Sequence, residues 1–335
     1  MSNVNSGKDL FAGPTGRWAT ERLLAAMHAG KALTSHVLRP LDTLRHDEWK
    51  FFDDAVVAEG TKRLVGVADL IARGQTIPVA GALGKTVFGY EKVTDMDPAI
   101  TSLDGLGRTG NDRQEFQLNQ LPLPITHKDF FINLRTLTAS RNGGESLDTL
   151  QVRTAGRVVA ERLEDMLFNG GQVFGGLTVY GYRTHPDRNT GTFVTNGAWS
   201  AAAKTGENIL EDVQKMMTAL HADRHFGPYW IYVPADVASK LEGDFKANSD
   251  RTIRERIEAV EGVLGIRVAD QLATAQVLMV EASFETAAWV SGEQLQTVQW
   301  DAYGGFQLNF KAWAIGVPLV RSDIAGRSGI YHMTT

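Results

Sequence analysis

Residues 146–171 read SLDTLQVRTAGRVVAERLEDMLFNGG, and this stretch decides the fold. Ser146 can cap the first turn, and Asp148 lies where a negative charge suits the helix dipole. Two consecutive glycines after Asn169 are a strong stop signal. The pattern predicts a long helix over 146–169. One face is apolar and therefore predicted to be buried, and it consists of Ala155, Val158, Val159, Leu163, Met166 and Leu167.

The segment before this helix, residues 75–126, has a different character. Two alternating stretches, 86–90 and 116–121, flank a polar, glycine-rich tip at 104–112. Alternation is typical of strands, so the segment is predicted to be a long two-stranded excursion with little core of its own. Because an isolated hairpin is only marginally stable in water, we expect this one to lie on a partner molecule.

The segment after the helix, residues 173–283, is predicted to be a compact α/β domain. Its helices and buried strands are predicted over 208–222, 229–233, 235–241, 251–260 and 277–280. The tail, 284–333, alternates repeatedly between apolar and polar residues. It should therefore form antiparallel strands.

The N-terminal residues are predicted to form an extended arm, 1–43, with a short amphipathic helix at 18–27. A longer helix over 47–72 follows, and Gly60 and Gly66 weaken its middle, so that it can break there. The first 40 residues carry five basic and two acidic side chains, a net charge of +3. They can form a solvated arm, or an arm that faces a polyanion or an acidic neighbouring surface.

Composition excludes several classes of function. The 335 residues suffice for one large or two ordinary domains. The net charge of −5 means that the chain as a whole lacks the excess of basic residues typical of nucleic-acid-binding proteins. The absence of cysteine excludes disulfide scaffolds, thiolate zinc sites, iron–sulfur clusters and cysteine nucleophiles. The longest apolar run, 312–320, is far shorter than the roughly 20 residues of a membrane helix. The first ten residues also lack the pattern of a secretory signal, so a soluble protein is expected.

Catalytic motifs are weak throughout the chain. A GxGxxG pattern at 105–110, followed by Asp129, lacks the preceding strand and the following helix that a dinucleotide site needs, so it is predicted to be a loop tip. The chain contains no HExxH, GxSxG or phosphate-loop motif. We therefore predict no catalytic, cofactor-binding or metal-binding residues and no enzymatic activity. The alternative, an enzyme of an unrecognised α/β type, predicts a concave pocket with perturbed ionisable groups.

Several segments resemble the Hong Kong 97-type shell fold, which tailed-phage major capsid proteins and bacterial encapsulins share. The resemblance covers residues 38–335, and the order of the elements supports it most strongly. The matching segments are LRPL at 38–41, DEWK at 47–50, ADLIARG at 68–74, IPVAG at 77–81, AGRVVAE at 155–161 and EDMLFNG at 164–170. The resemblance implies an α+β chain with an N-terminal arm (1–43), an N-terminal helix (44–74), an extended loop (75–126), a peripheral domain with a long spine helix (127–172 and 284–335) and an axial domain (173–283).

The same resemblance implies a major capsid protein that forms the pentamers and hexamers of an icosahedral phage head around double-stranded DNA. The alternative is an encapsulin nanocompartment that encloses a cargo enzyme. About 37 residues precede the encapsulin-like opening, which favours the capsid. No cleaved scaffolding segment is evident, so scaffolding is expected from a separate protein or from none.

The expected partners are first of all copies of the chain itself. Scaffolding, portal and decoration proteins are further partners that the resemblance allows, and packaged DNA would be bound weakly and without specificity. A membrane is not an expected partner. The expected location is the host cytoplasm during assembly and then the virion.

The assembly interface is expected to use basic side chains of the arm and the extended loop. These are Arg17, Arg22, Lys85, Lys92, Arg108 and Arg113. Some members of the resembled family crosslink a loop lysine to a neighbour's asparagine, and Lys85 and Lys92 lie in the corresponding region. A lysine on a hairpin is more often solvated or ion-paired. Chains of monomer size after boiling in detergent would exclude such a crosslink.

Overall fold

The structure is a computed structural model, which describes Gly60 and residues 64–94, 96, 98–103, 113–143, 150–246 and 250–335. The chain falls into two compact units. The larger unit comprises Gly60–Thr126, Arg157–Leu295 and Trp313–Thr335. Within the described part, the smaller unit is drawn from His127–Gly156 and Gln296–Ala312. The predicted arm and its short helix lie outside the described residues.

Helices and strands alternate irregularly along the chain. The described helices are α1 Gly66–Ala72, α2 Leu134–Gly143, α3 Leu150–Phe168, α4 Gly206–Ala222, α5 Ala235–Leu241 and α6 Ile253–Glu258. The described strands are β1 Thr76–Pro78, β2 Val87–Val93, β3 Phe116–Pro122, β4 Ile125–Asn133, β5 Gly170–Phe174, β6 Leu177–Tyr180, β7 Asn189–Thr192, β8 Tyr229–Val233, β9 Val263–Val268, β10 Val277–Glu281, β11 Ala287–Ala302, β12 Gln307–Val320 and β13 Ile330–Thr334.

The long helix predicted from the opening stretch is confirmed as α3. It stops where the sequence predicts, because Gly170 and Gly171 both adopt positive φ angles, of 53° and 77°. A Cβ atom on Gly170 would lie 2.1 Å from the backbone nitrogen of Gly181. Only glycine fits this position, so the chain can turn from the helix directly into the hairpin β5–β6.

One extensive core belongs to a five-stranded sheet in the larger unit, with the strand order β7-β13-β10-β8-β9. Strand β10 is antiparallel to both β8 and β13, and β9 is parallel to β8. Helices α4, α5 and α6 contribute apolar side chains to this core, including Met216, Val237 and Ile257. Helix α6 begins in a complete capping box formed by Thr252 and Glu255. The elements predicted between residues 208 and 280 are therefore confirmed.

The last strand, β13, belongs to a different sheet from the other two strands of the tail, β11 and β12. Residues 284–335 are predicted to belong together, whereas β13 pairs with β10 and β7 in the five-stranded sheet. The reason is that Tyr331 and Met333 belong to the same core as Met279 of β10. Alternation identifies a strand, but it carries no information about which distant strand becomes its neighbour.

A second core in the larger unit joins the hairpin β2–β3 to the rest of the chain. It contains Val79, Ala82, Leu121, Leu123, Met166, Val179, Val290, Ile315, Val317 and Leu319. Strand β1 is parallel to β11, and β12 lies beside β11. The spine helix α3 thus shares this core, through Met166, with the strands of the tail.

The smaller unit is built around the far ends of β11 and β12, which are joined by the turn Tyr303–Gly305. Strand β4 lies beside β12. The rings of Phe130 and Phe310 stack with their centroids 5.1 Å apart. An ion pair joins Asp129 Oδ1 to Lys311 Nζ at 3.5 Å. Asp129, the acidic residue that follows the GxGxxG pattern in the sequence, is therefore a strand residue with an ion partner.

Candidate assembly surfaces

The hairpin β2–β3 has two faces of opposite character. The strands pair antiparallel from Val87 opposite Pro122 to Val93 opposite Phe116. On one face, Phe88 and Tyr90 pack against the second core, to which Leu121 belongs. This face anchors the hairpin to its own chain.

The other face of the hairpin turns apolar side chains to solvent. Phe116 is 62% exposed and Leu118 is 68% exposed. They occupy alternate positions of β3, so they lie on the same face. Beyond the paired strands, Met96, Ile100 and Leu103 are exposed as well. Neighbouring exposed apolar side chains such as those of Phe116 and Leu118 mark an interaction surface.

A three-residue network holds β2 of the hairpin near its loop end, at Lys92. Lys92 Nζ lies 3.1 Å from Asp187 Oδ2 and donates to Ser322 Oγ at 2.7 Å. Ser322 in turn donates to the same carboxylate oxygen at 2.5 Å. Burial works against the ionised carboxylate, but the hydrogen bonds from Ser322 and Lys92 and the charge of Lys92 outweigh it, so the pKa of Asp187 lies below its ordinary value.

Replacing Asp187 by asparagine is expected to loosen the loop end of the hairpin, because Lys92 loses its ion pair. Chymotrypsin should then cleave the unassembled variant in the hairpin several-fold faster than the unchanged chain. Lys85→Met is the matched control, since Lys85 is an exposed lysine just before β2. Equal cleavage rates for the two variants would show that the network does not hold the hairpin.

The predicted interface residues fall into three groups. Arg17, Arg22 and Arg108, like the GxGxxG motif, lie outside the described residues. Lys85 and Arg113 are exposed. Lys92 is instead engaged with Asp187 of its own chain, so it would have to leave that ion pair before it could contact a neighbour.

The smaller unit carries a second apolar surface near the turn between β11 and β12. Its exposed side chains are Phe131, Val298, Trp300, Tyr303 and Phe306. Lys311 lies over the ring of Trp300, 5.9 Å from its centroid, which adds a cation–π contact to its ion pair. Four of these five side chains are aromatic, and aromatic residues are enriched in protein interfaces.

A carboxylate of the spine helix caps helix α1. Glu164, which is 4% exposed, accepts hydrogen bonds from the backbone N–H groups of Val65, Gly66 and Val67 at 2.6–3.3 Å. The two helices pack closely, because a Cβ on Gly66 would lie 2.8 Å from Leu167 Cδ2. Helix α1 begins at Gly66, where the sequence allows a break in the longer predicted helix.

The charge of Glu164 should make stability depend on pH. Burial raises its pKa to about 7, although the three N–H groups favour the ionised form. Between pH 4.5 and 7 the folded chain therefore holds a proton that the unfolded chain has released, so stability falls as the pH rises. The loss is on the order of 3 kcal/mol when complete.

Glu164→Gln should remove this contribution. We expect the free energy of unfolding in urea to shift in favour of the variant, relative to the unchanged chain, as the pH rises from 5 to 8. Asp165→Asn, the neighbouring carboxylate on the same helix, serves as the control. If the difference between the glutamine variant and the unchanged chain stays constant over this range, Glu164 does not titrate as described.

Two cavities in the larger unit are lined by polar groups. One, of about 430 Å³, is lined by charged residues that include Arg321, Asp323 and Arg327. The other, of about 320 Å³, has Tyr90 and Tyr180 among its lining residues. Arg327 is paired with Asp323 at 2.6 Å. In the part of the chain that the structure describes, no three His, Asp or Glu side chains are grouped so as to hold a metal ion.

None of the helices among the described residues has the length and apolar character needed to cross a membrane.

Comparisons with known proteins fit this architecture. The family described as "Family of unknown function (DUF6260)" matches residues 38–333. The type 1 encapsulin shell protein EncA of Myxococcus xanthus (strain DK1622) is 25% identical over 236 residues, which cover 69% of this chain and 70% of that protein.

Solved structures show the same fold. A virus-like particle from Pyrococcus furiosus matches with a TM-score of 0.59 at 12% identity, over 85% of this chain and 98% of that one. The capsid of Myoviridae phage XM1 matches with a TM-score of 0.60 at 10% identity, over 80% of this chain and 92% of that one. The predicted α+β fold of Hong Kong 97 type is thus confirmed.

Proposed function

The chain belongs to DUF6260, a family of unknown function, and we propose that it assembles with copies of itself into a closed protein shell. The fold supports the proposal, since it is shared with a virus-like particle and a phage capsid. The observation that carries it is the two-faced hairpin, which is anchored on one side and exposes Phe116 and Leu118 on the other. A neighbouring copy would cover that apolar face.

Within this proposal we favour the head of a tailed phage, built from pentamers and hexamers around double-stranded DNA. The first 40 residues carry a net charge of +3 in a chain whose total is −5. Basic charge concentrated in one segment suits an anionic content or an acidic neighbouring subunit. The shell would assemble in the host cytoplasm and end in the virion, with scaffolding, portal and decoration proteins as further partners.

The second candidate is an encapsulin shell that encloses a cargo enzyme. The observation in its favour is the 25% identity to the shell protein EncA over 236 residues. Both candidates assign the chain the work of assembly, not catalysis. They differ in particle size and in content.

Electron microscopy and sedimentation of the protein expressed alone test the proposal. Angular shells that contain hexamers are the expected result. Small uniform shells built only of pentamers would replace the phage head by an encapsulin. A discrete dimer or tetramer would contradict both shell functions.

A further inference from the structure

Arg183 and Arg188 follow the hairpin β5–β6, and neither forms an ion pair with a carboxylate of the described residues. Within the described residues, no carboxylate lies within ion-pair distance of Arg183 or Arg188. Arg183 Nη1 donates to Asn169 Oδ1, and Arg188 Nη1 donates to the carbonyl oxygen of His185 at 2.8 Å. Both guanidinium groups are thus held in place by neutral acceptors, and the charge of Asp165 acts on Arg183 only from beyond ion-pair distance.

A buried histidine of the last strand completes the group. Arg188 Nε donates to His332 Nδ1 at 3.4 Å, so Nδ1 is the acceptor and the ring proton lies on Nε2. His332 is 5% exposed, and its Nε2 has no hydrogen-bond partner. The Nε of Arg183 is also enclosed and without a partner. Two enclosed donors therefore lack acceptors, which is rare in folded proteins.

Positive charge predominates around Arg188 and His332, so a bound anion would be favoured there. Burial lowers the pKa of Arg188 most, and the neighbouring charge of Arg183 lowers it further. Burial and the charges of Arg188 and Arg183 lower the pKa of His332 to about 4, so the histidine is a neutral donor at neutral pH. A water molecule could accept hydrogen bonds here, but it would leave the repulsion between the arginines in place.

We propose that Arg183, Arg188 and His332 form a binding site for one small tetrahedral oxyanion of the phosphate or sulfate type. Such an ion accepts several hydrogen bonds at once and matches the planar donor fork of arginine. The enclosure of His332 favours a free ion over the backbone of a nucleic acid strand. The ion would link the end of the spine helix, through Arg183 and Asn169, to β13. This site does not depend on the proposed shell function.

Calorimetric titration of the full-length protein with inorganic phosphate tests the site. The protein is first exchanged into chloride buffer at pH 7, and the ionic strength is kept constant. We expect saturable binding of one phosphate per chain and an unfolding temperature raised by about 3 °C or more at saturation. Sulfate should compete for the site. Absence of saturable binding, or equal stabilisation by chloride, would overturn the proposal.

The variant Arg188→Gln locates the bound ion. We expect it to weaken phosphate binding at least tenfold, whereas Arg153→Gln, at an exposed position of the spine helix, should leave binding unchanged. Unchanged binding in Arg188→Gln would overturn the site. If this variant fails to fold, the titration of the unchanged chain still decides. If a single-stranded DNA oligonucleotide displaces the bound phosphate one for one, the site is open enough to bind a nucleic acid backbone. That result would contradict an enclosed ion site.

Discussion

Replacing Phe116 and Leu118 together by serine should leave the chain folded and prevent it from forming shells. Both side chains lie on the exposed face of β3, and neither belongs to the two cores described for the larger unit. Burying a large apolar side chain contributes about 1.5–3 kcal/mol, so a contact that uses both would lose on the order of 3–6 kcal/mol. A loss of this size raises the protein concentration needed for assembly by about two orders of magnitude or more.

The effect should be larger than for one isolated contact, because a closed shell repeats the same contact at every subunit. Sedimentation velocity and negative-stain microscopy measure the assembled fraction, and circular dichroism reports the fold. In the unchanged chain we expect shells, and in the double variant we expect only slowly sedimenting species with an unchanged spectrum.

Two substitutions in the same strand make the experiment specific. Gln120→Ser alters an exposed polar residue on the same face as Leu118, so assembly should be unaffected. Leu121→Ser alters a side chain that is buried in the second core on the opposite face, so it should destabilise the fold itself. Normal shells from the double variant at ordinary concentration would show that this face is not an assembly contact.

Local patterns were sufficient to predict most elements of the fold. The spine helix, β8 and α4 have clear apolar periodicity, and the structure shows them close to their predicted bounds. This periodicity involves residues that are close together in the sequence, so it can be recognised from one sequence alone. The alternation of β2 and β3 likewise predicts strands. It does not indicate which face is anchored, because Phe88 and Tyr90 on one face resemble Phe116 and Leu118 on the other.

The polar groups that connect distant parts of the chain could not be predicted from the sequence. Glu164 bonds to backbone groups about 98 positions earlier, and Asp187 meets Ser322 across 135 positions. Glu164 lies in one of the segments that carry the family resemblance, but neither its position nor that of Asp187 in the sequence indicates a buried partner. The segment before β7 forms a turn, and it contains the buried His185 and the ion-paired Asp187. Only tertiary pairing distinguishes these residues from surface ones.

A fully buried ion pair lies at the start of α4, the helix that packs on the five-stranded sheet. Lys204 Nζ lies 2.6 Å from Asp212 Oδ2, and both side chains are 0% exposed. Asp212 also accepts from Trp199 Nε1 at 2.8 Å and from the backbone N–H of Val194 at 2.7 Å. Lys204 donates further to the carbonyl oxygen of Thr195 at 2.7 Å. The pair thus fixes the loop before α4 to the first turns of that helix.

Removing one partner of this pair should destabilise the chain by about 3–5 kcal/mol, because the other charge stays buried without compensation. We expect Asp212→Leu and Lys204→Met each to show this loss in urea unfolding. Lys246→Met is the matched control, since its ion pair with Glu207 at 2.5 Å joins side chains that are 61% and 59% exposed. Such surface pairs contribute about 0–1 kcal/mol.

The double variant Lys204→Met/Asp212→Leu separates the two sources of the loss. If the cost of each single variant arises from an orphaned buried charge, the double variant should be less destabilised than the sum of the two, because it leaves no charge behind. Trp199 and Val194 still lose their acceptor, so we expect a remaining loss of about 1–3 kcal/mol. Strictly additive losses would mean that the two charges are solvated independently and that the pair does not act as a unit.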